Sequence, residues 1–106
     1  MKPEIALTSR ASGGDFKTAA QVARELGFDG IDWNLDYFRI AAASNARQAF
    51  YDAARSAGVP SGFHGPCHDI ELGHKDHRIA KTAVHYLKMY VDFIKAFQGT
   101  HMTLHI

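Results

Sequence analysis

Three short stretches carry the side chains with which this chain could do chemistry. Read as a strand, HMTLHI at residues 101–106 sends His101, Thr103 and His105 to one face and Met102, Leu104 and Ile106 to the other, because side chains alternate along a strand. SGFHG at 61–65 puts His64 between Phe63 and Gly65, and GIDWNL at 30–35 alternates Asp32 and Asn34 with Ile31, Trp33 and Leu35. Imidazoles at strand ends bind zinc or manganese at about 2.0–2.2 Å. A carboxylate on a neighbouring strand can orient such an imidazole or accept a hydrogen bond from a substrate hydroxyl. His64 and His105 are therefore the candidate metal ligands, and Asp32 a candidate support or substrate contact. His101 shares their face but stands about 13 Å from His105 along an extended strand, at its amino end, and is expected to be structural or exposed.

The loop after residue 64 is dense in possible ligands: His68, Asp69, Glu71, His74, Asp76 and His77. Gly65 and Pro66 break any helix that would bring His64 and His68 onto one face, so a helical HxxxH zinc pair is not expected. Most such loop residues are solvated, and His68 is the member expected to contact substrate. His85 falls within a helical stretch and reads as a helix residue. Cys67, the only cysteine, has no base partner in sequence and reads as a packing residue. SGG at 12–14 lacks the lysine and spacing of a phosphate-cradling loop, leaving at most weak anion binding at a helix start.

The elements that must position these groups are three helices and four strands. Asp15 can cap a helix in which Phe16, Ala19, Val22, Ala23 and Leu26 recur at helical spacing before Gly27 ends it. A second helix is expected to begin at Asn45, with Gln48 completing a capping box, and to carry Ala46, Ala49, Phe50, Ala53 and Ala57 before Gly58 and Pro60. A third starts near Asp76, presents Ile79, Ala83, Leu87, Tyr90, Val91 and Ile94 on one face, and stops at Gly99. EIALTS from residue 4, GIDWNL, SGFHG and HMTLHI read as the strands between them. Strict alternation of strand and helix implies parallel pairing through crossovers.

Parallel strands covered on both faces read as continuous apolar runs, and these do not. One face is apolar and available to all three helices; the other is small or polar. An open doubly wound sheet needs apolar residues on both sides, whereas a closed α/β barrel keeps its helices outside and tolerates polar side chains inside, near the carboxyl ends of the strands. The expected fold class is therefore α/β: a parallel (βα)3β half of a TIM barrel, one domain over 1–106, helices on one face. Four strands leave two edges and an inner face uncovered, so completion is expected from residues beyond 106 or from a second copy.

Composition narrows the function classes. A chain of 106 residues with 46% apolar and 22% charged residues belongs to an ordinary globular domain. A net charge of +1 with scattered Lys and Arg gives no basic footprint for nucleic acid. One cysteine makes no disulfide framework and suits a reducing interior. The start MKPEIALTSR lacks a signal-peptide pattern and no segment approaches the ~20 apolar residues of a membrane span, so a cytoplasmic location and no membrane partner are expected.

The run ARELGFDGIDWNL resembles the passage "helix, LGFDGIE, strand" early in the xylose-isomerase-like barrels, the superfamily of sugar isomerases and epimerases that also holds the apurinic-site endonucleases. FHGPCHDIELG before a long helix is similar to that family's third-strand histidine passage, and the final LHI to its fourth strand. The resemblance spans this chain and the first half of a family barrel. By motif, His64 and His105 match the histidines that close the third and fourth strands, which are metal ligands in the endonuclease branch and face substrate in the sugar branch. Asp32 stands where the family often has Glu, Cys67 where it often has Tyr, and the glycine after the fourth-strand histidine is missing. The resemblance implies a sugar or sugar-phosphate isomerase or epimerase with a divalent metal (Mn, Mg or Zn) and a small sugar substrate. Its proton-abstracting carboxylates would lie on later strands. The rival readings are a metal-dependent endonuclease at abasic DNA and a non-catalytic dimeric half-barrel that binds metal or ligand.

Overall fold

Asp15 starts the first helix by chemistry local to its own turn. Its side chain accepts hydrogen bonds from the Lys17 backbone N–H at 3.2 Å and from the Thr18 hydroxyl, satisfying a donor that the first helical turn leaves orphaned. The structure is a computed structural model that describes residues 4–12, 15–35, 44–66, 68 and 70–105. Gly13, Gly14, Cys67, Asp69 and Ile106, on which expectations are stated above, lie outside the described residues.

The order is β1 (Ala6–Thr8), a 3-10 turn (Ser9–Ser12), α1 (Phe16–Leu26), β2 (Gly30–Asn34), α2 (Ser44–Ser56), β3 (Ser61–His64) and α3 (His77–Ala96). Among the described residues the sheet has three parallel strands in the order β1-β2-β3, so the class is α/β with a small parallel sheet and three α-helices. Gly27 ends α1 in the left-handed conformation, φ 71°, which a residue without Cβ adopts at no steric cost. Asp76 caps α3 by accepting from the Arg78 N–H at 2.9 Å.

Two boundaries differ from those expected. α2 begins at Ser44, so Asn45 is inside the helix; its Oδ1 accepts from the adjacent Ala46 N–H, and Gln48 donates forward to Asp52 at 2.8 Å instead of closing a capping box. The C-terminal segment pairs with β3 through a single parallel bridge, His64 with Thr103, rather than as a full fourth strand. Thr103 N–H donates to Phe63 O at 2.9 Å and Gly65 N–H donates to Thr103 O at 2.8 Å. Gly65 makes that close approach possible, because a Cβ there would stand 2.6 Å from Leu104 Cδ2 and 2.9 Å from Met102 Sδ.

The register fixes the two faces. Thr8 pairs with Asp32, Asp32 with Gly62, and Asn34 with His64, so these side chains share one face. Leu7, Ile31, Trp33, Leu35 and Phe63 occupy the other and are buried in one cluster with Ala19 and Ala23 of α1, Phe50 and Ala54 of α2, and Tyr90, Phe93 and Ile94 of α3. All three helices therefore cover the apolar face. At its centre Trp33 and Phe50 pack edge to face with ring centroids 4.9 Å apart. Trp33 donates its indole N–H to Ser61 Oγ at 2.9 Å. The Tyr51 hydroxyl donates to Phe93 O at 2.8 Å, and burial raises that phenol's pKa.

The inner face of α3 is Ala83, Leu87, Tyr90, Phe93 and Ile94. Ile79 and Val91, expected inside, are about two-fifths exposed, and Phe93 is fully buried in their place. Val91 lies between the buried Tyr90 and Ile94, so the buried face is turned toward Phe93 and away from Val91. Among the described residues no helix is long and apolar enough to cross a membrane.

Candidate functional site

Where the helices do not reach, the sheet carries its polar row. Asp32 projects from the middle of β2 and His64 from the end of β3, and the single bridge at Thr103 carries His105 past the end of β3 on the same side. The outcome is a direct contact between the two imidazoles: His64 Nε2 and His105 Nε2 are 2.6 Å apart, with ring centroids separated by 4.7 Å. The other nitrogen of His64, Nδ1, faces Asp32 Oδ2 at 3.8 Å. Side-chain exposures of 23% for His64 and 43% for Asp32 make this a half-open, wet site.

A hydrogen bond between two neutral imidazoles needs one donor and one acceptor. Which of the two Nε2 atoms donates depends on the tautomers of the rings, and the Asp32 carboxylate, on the Nδ1 side of His64 at 3.8 Å, favours the one that carries its proton on Nδ1. That tautomer would leave His64 Nε2 free to hold a metal with a carboxylate behind the ring, an arrangement that raises ligand basicity and fixes ring orientation. Two nitrogens bound tetrahedrally to one zinc stand about 3.3 Å apart, so chelation requires the pair to open by roughly 0.7 Å. His105 is exposed at the end of a segment held by one bridge, and that opening requires only a small swing. The pair supplies two nitrogen donors. Among the described residues no three His, Cys, Asp or Glu side chains converge as a metal-holding group, so water, substrate or further protein groups would complete the coordination.

The other candidates are arranged differently. His68 is exposed in a turn and joins no such group with the pair. The loop ligands serve the start of α3: His74 Nδ1 accepts from the Asp76 N–H at 2.9 Å, and Asp76 pairs with Arg78 at 2.8 Å. The hydrogen bonds from Arg78 hold the Asp76 carboxyl below its ordinary pKa, and Asp76 in turn raises that of Arg78. Glu71, His77 and His85 are exposed. At the start of α1, the Asp15 carboxylate takes the position an anion would need, and the Thr18 hydroxyl foremost lowers its pKa.

Toward the amino ends of the strands a hollow of about 410 Å3 is lined by Ala6, Gly30 and Gly62 together with Asp32 and His101; neither His64 nor His105 lines it. His101 is exposed as expected, yet it adjoins the same row as Asp32. Sequence alone gave it no role. The signal that finds it is register: two residues before Thr103 corresponds to two residues before His64, which is Gly62, and Gly62 pairs with Asp32. Ser9 was also passed over; fully buried, its hydroxyl accepts from the Asn34 N–H at 2.8 Å and ties the end of β1 to β2.

No protein-family model matches the chain, and no curated protein matches its sequence. What the site can do rests on its geometry.

Proposed function

We propose that the bare polar face is part of the inner wall of an α/β barrel of the xylose-isomerase-like kind, and that His64 and His105 hold a divalent metal for sugar or sugar-phosphate isomerisation or epimerisation. The observation that carries this reading is the convergence of two Nε2 atoms to 2.6 Å at strand ends, with a carboxylate behind one of them. A divalent metal so held supplies Lewis acidity for the negative charge that develops on vicinal oxygens when a proton leaves the adjacent carbon. Asp32 orients His64 in this reading, and the carboxylate that takes the proton comes from further strands, of a longer polypeptide or of a second copy. His68, in its turn beyond β3, is the candidate contact to the far end of the substrate.

Titration with Mn2+ and Zn2+, followed calorimetrically, tests the proposal. Binding should be lost in both His64→Ala and His105→Ala, and weakened about 10- to 100-fold in Asp32→Asn, the range for removing a partner behind a ligating histidine. Retention of full affinity in both histidine variants overturns the metal assignment. Aldose–ketose interconversion with added metal tests the chemistry. A stable dimer that binds metal without turnover, by sedimentation and activity assay, would instead assign the pair to a non-catalytic binding module.

A further inference from the structure

We infer that a second copy of this chain adjoins the sheet at both of its open sides: the outer edge of the 100–105 segment, with the neighbouring flank of α3, receives the β1 edge and α1 flank of the other copy. This rests on the reading of the polar face as part of a barrel wall, and it names the partner that continues that wall.

The two open sides are built differently. On one of them β1 is the edge strand. With it stand the two most exposed large apolar residues among those described, Leu26 at 71% and Ile5 at 60%. They lie at the same end of the molecule, because Asp29, three residues past Leu26, donates its N–H to Ile5 O at 2.8 Å. The charged groups of that end are Glu4, Glu25 and Asp29, all exposed, whereas Arg24 turns away to α2 and donates to Ser56 O at 3.1 Å.

On the opposite side Thr103 turns both its N–H and its C=O to β3, so those of Met102 and Leu104 point to the outer edge, as alternation along a strand requires. A cleft between this segment and α3 is lined by Val91, Lys95 and Met102. Seven residues make about two helical turns, so Val84 continues the line of Val91, and Lys88 and Lys81 continue that of Lys95. Val84, Val91 and Leu104 are each about two-fifths exposed, and all three lysines are exposed.

Each side is thus a strand edge backed by apolar surface, rimmed by carboxylates in one case and by ammonium groups in the other. A side that met its own kind would bring like charges together, which costs affinity, whereas opposite sides complement each other. Strand direction agrees with this choice. All the strands are parallel, so a copy rotated by half a turn about an axis along them brings its β1 parallel to the 100–105 segment of the first. The same rotation sets the first copy's β1 beside the second copy's segment. Two equal contacts of this head-to-tail kind close on themselves and leave no open edge.

Sedimentation equilibrium of the full chain at about 100 μM in low salt tests the inference. The expected mass is twice the 11.7 kDa of one chain. Two pairs of charge swaps then address the two sides: Lys88→Glu with Lys95→Glu, and Glu4→Lys with Glu25→Lys. All four positions are exposed, so the circular dichroism of both variants should match the parent's. Either variant alone sets like charges at both contacts and should dimerise at least tenfold more weakly than the parent. Mixed one to one, the two variants should recover the parent's mass, because each contact of the mixed pair again joins lysine to glutamate. A monomeric parent, variants that associate as tightly as the parent, or a mixture that stays monomeric overturns the inference, and growth beyond two chains overturns the closed pair. Mn2+ titration of the same samples keeps the readings apart: metal held by a monomeric parent sinks the second copy and leaves the histidine site standing, while a dimer that binds none does the reverse.

Discussion

Single residues at helix starts do two things here that can be read without any partner: they satisfy orphan N–H groups and they carry charge. Asp15 and Asp76 both have pKa values lowered from 3.8 in the folded chain, chiefly by the hydrogen bonds from Thr18 and Arg78. A depressed carboxyl stabilises the fold fully above its unfolded value and loses that contribution as pH falls through the folded one. The Tm should therefore drop as pH falls below 3.8, and the drop should be shallower in an Asp15→Asn, Asp76→Asn double variant, because asparagine also caps but does not titrate. Equal slopes for parent and variant, measured by thermal melts across that window, would contradict the assignment. Both caps were legible in sequence because capping is settled within one turn. The Asn45–Gln48 box was not, since the same residue types also serve inside a helix; there Asn45 bonds its neighbour and Gln48 reaches Asp52.

Elements depend on what they pack against, and there the sequence is less explicit. The apolar alternation of Ile31, Trp33 and Leu35 pointed correctly to the helix-covered face, and Ala19 and Ala23 to the inner side of α1. The stripe of α3 departs from its spacing at Ile79 and Val91, which are exposed while Phe93 is buried, because apolar residues on α3 fit more than one stripe and packing decides which of them faces the core. The terminal segment was expected as a strand of the same rank as the rest, whereas one bridge holds it. That bridge controls the histidine pair. Thr103→Pro removes the N–H that donates to Phe63 O and should undock the segment at a cost of about 1 kcal/mol, the usual net value of one such bond. The His64 ring resonances should then move to the positions seen in His105→Ala. A His64 spectrum unchanged from the parent would show that the pair forms without the bridge.

For the whole molecule the governing feature is sidedness: among the described residues every α-helix lies on one side of the sheet, and the other side is a polar surface with a 410 Å3 hollow. The expected placing of the helices on one face is observed, with three parallel strands and three helices among the described residues. Alternation along a strand defines its two faces but not the curvature or the partner that would complete a ring. Trp33 is the sole tryptophan, fully buried among aromatic rings on the oily side, with its indole N–H tied to Ser61. The protein thus carries an intrinsic fluorophore that watches only one of its two surfaces. Metal titrations should leave the emission maximum in place, while denaturant should shift it to the red as the core admits water. Ligand occupancy and unfolding can therefore be followed in the same cuvette as separate signals.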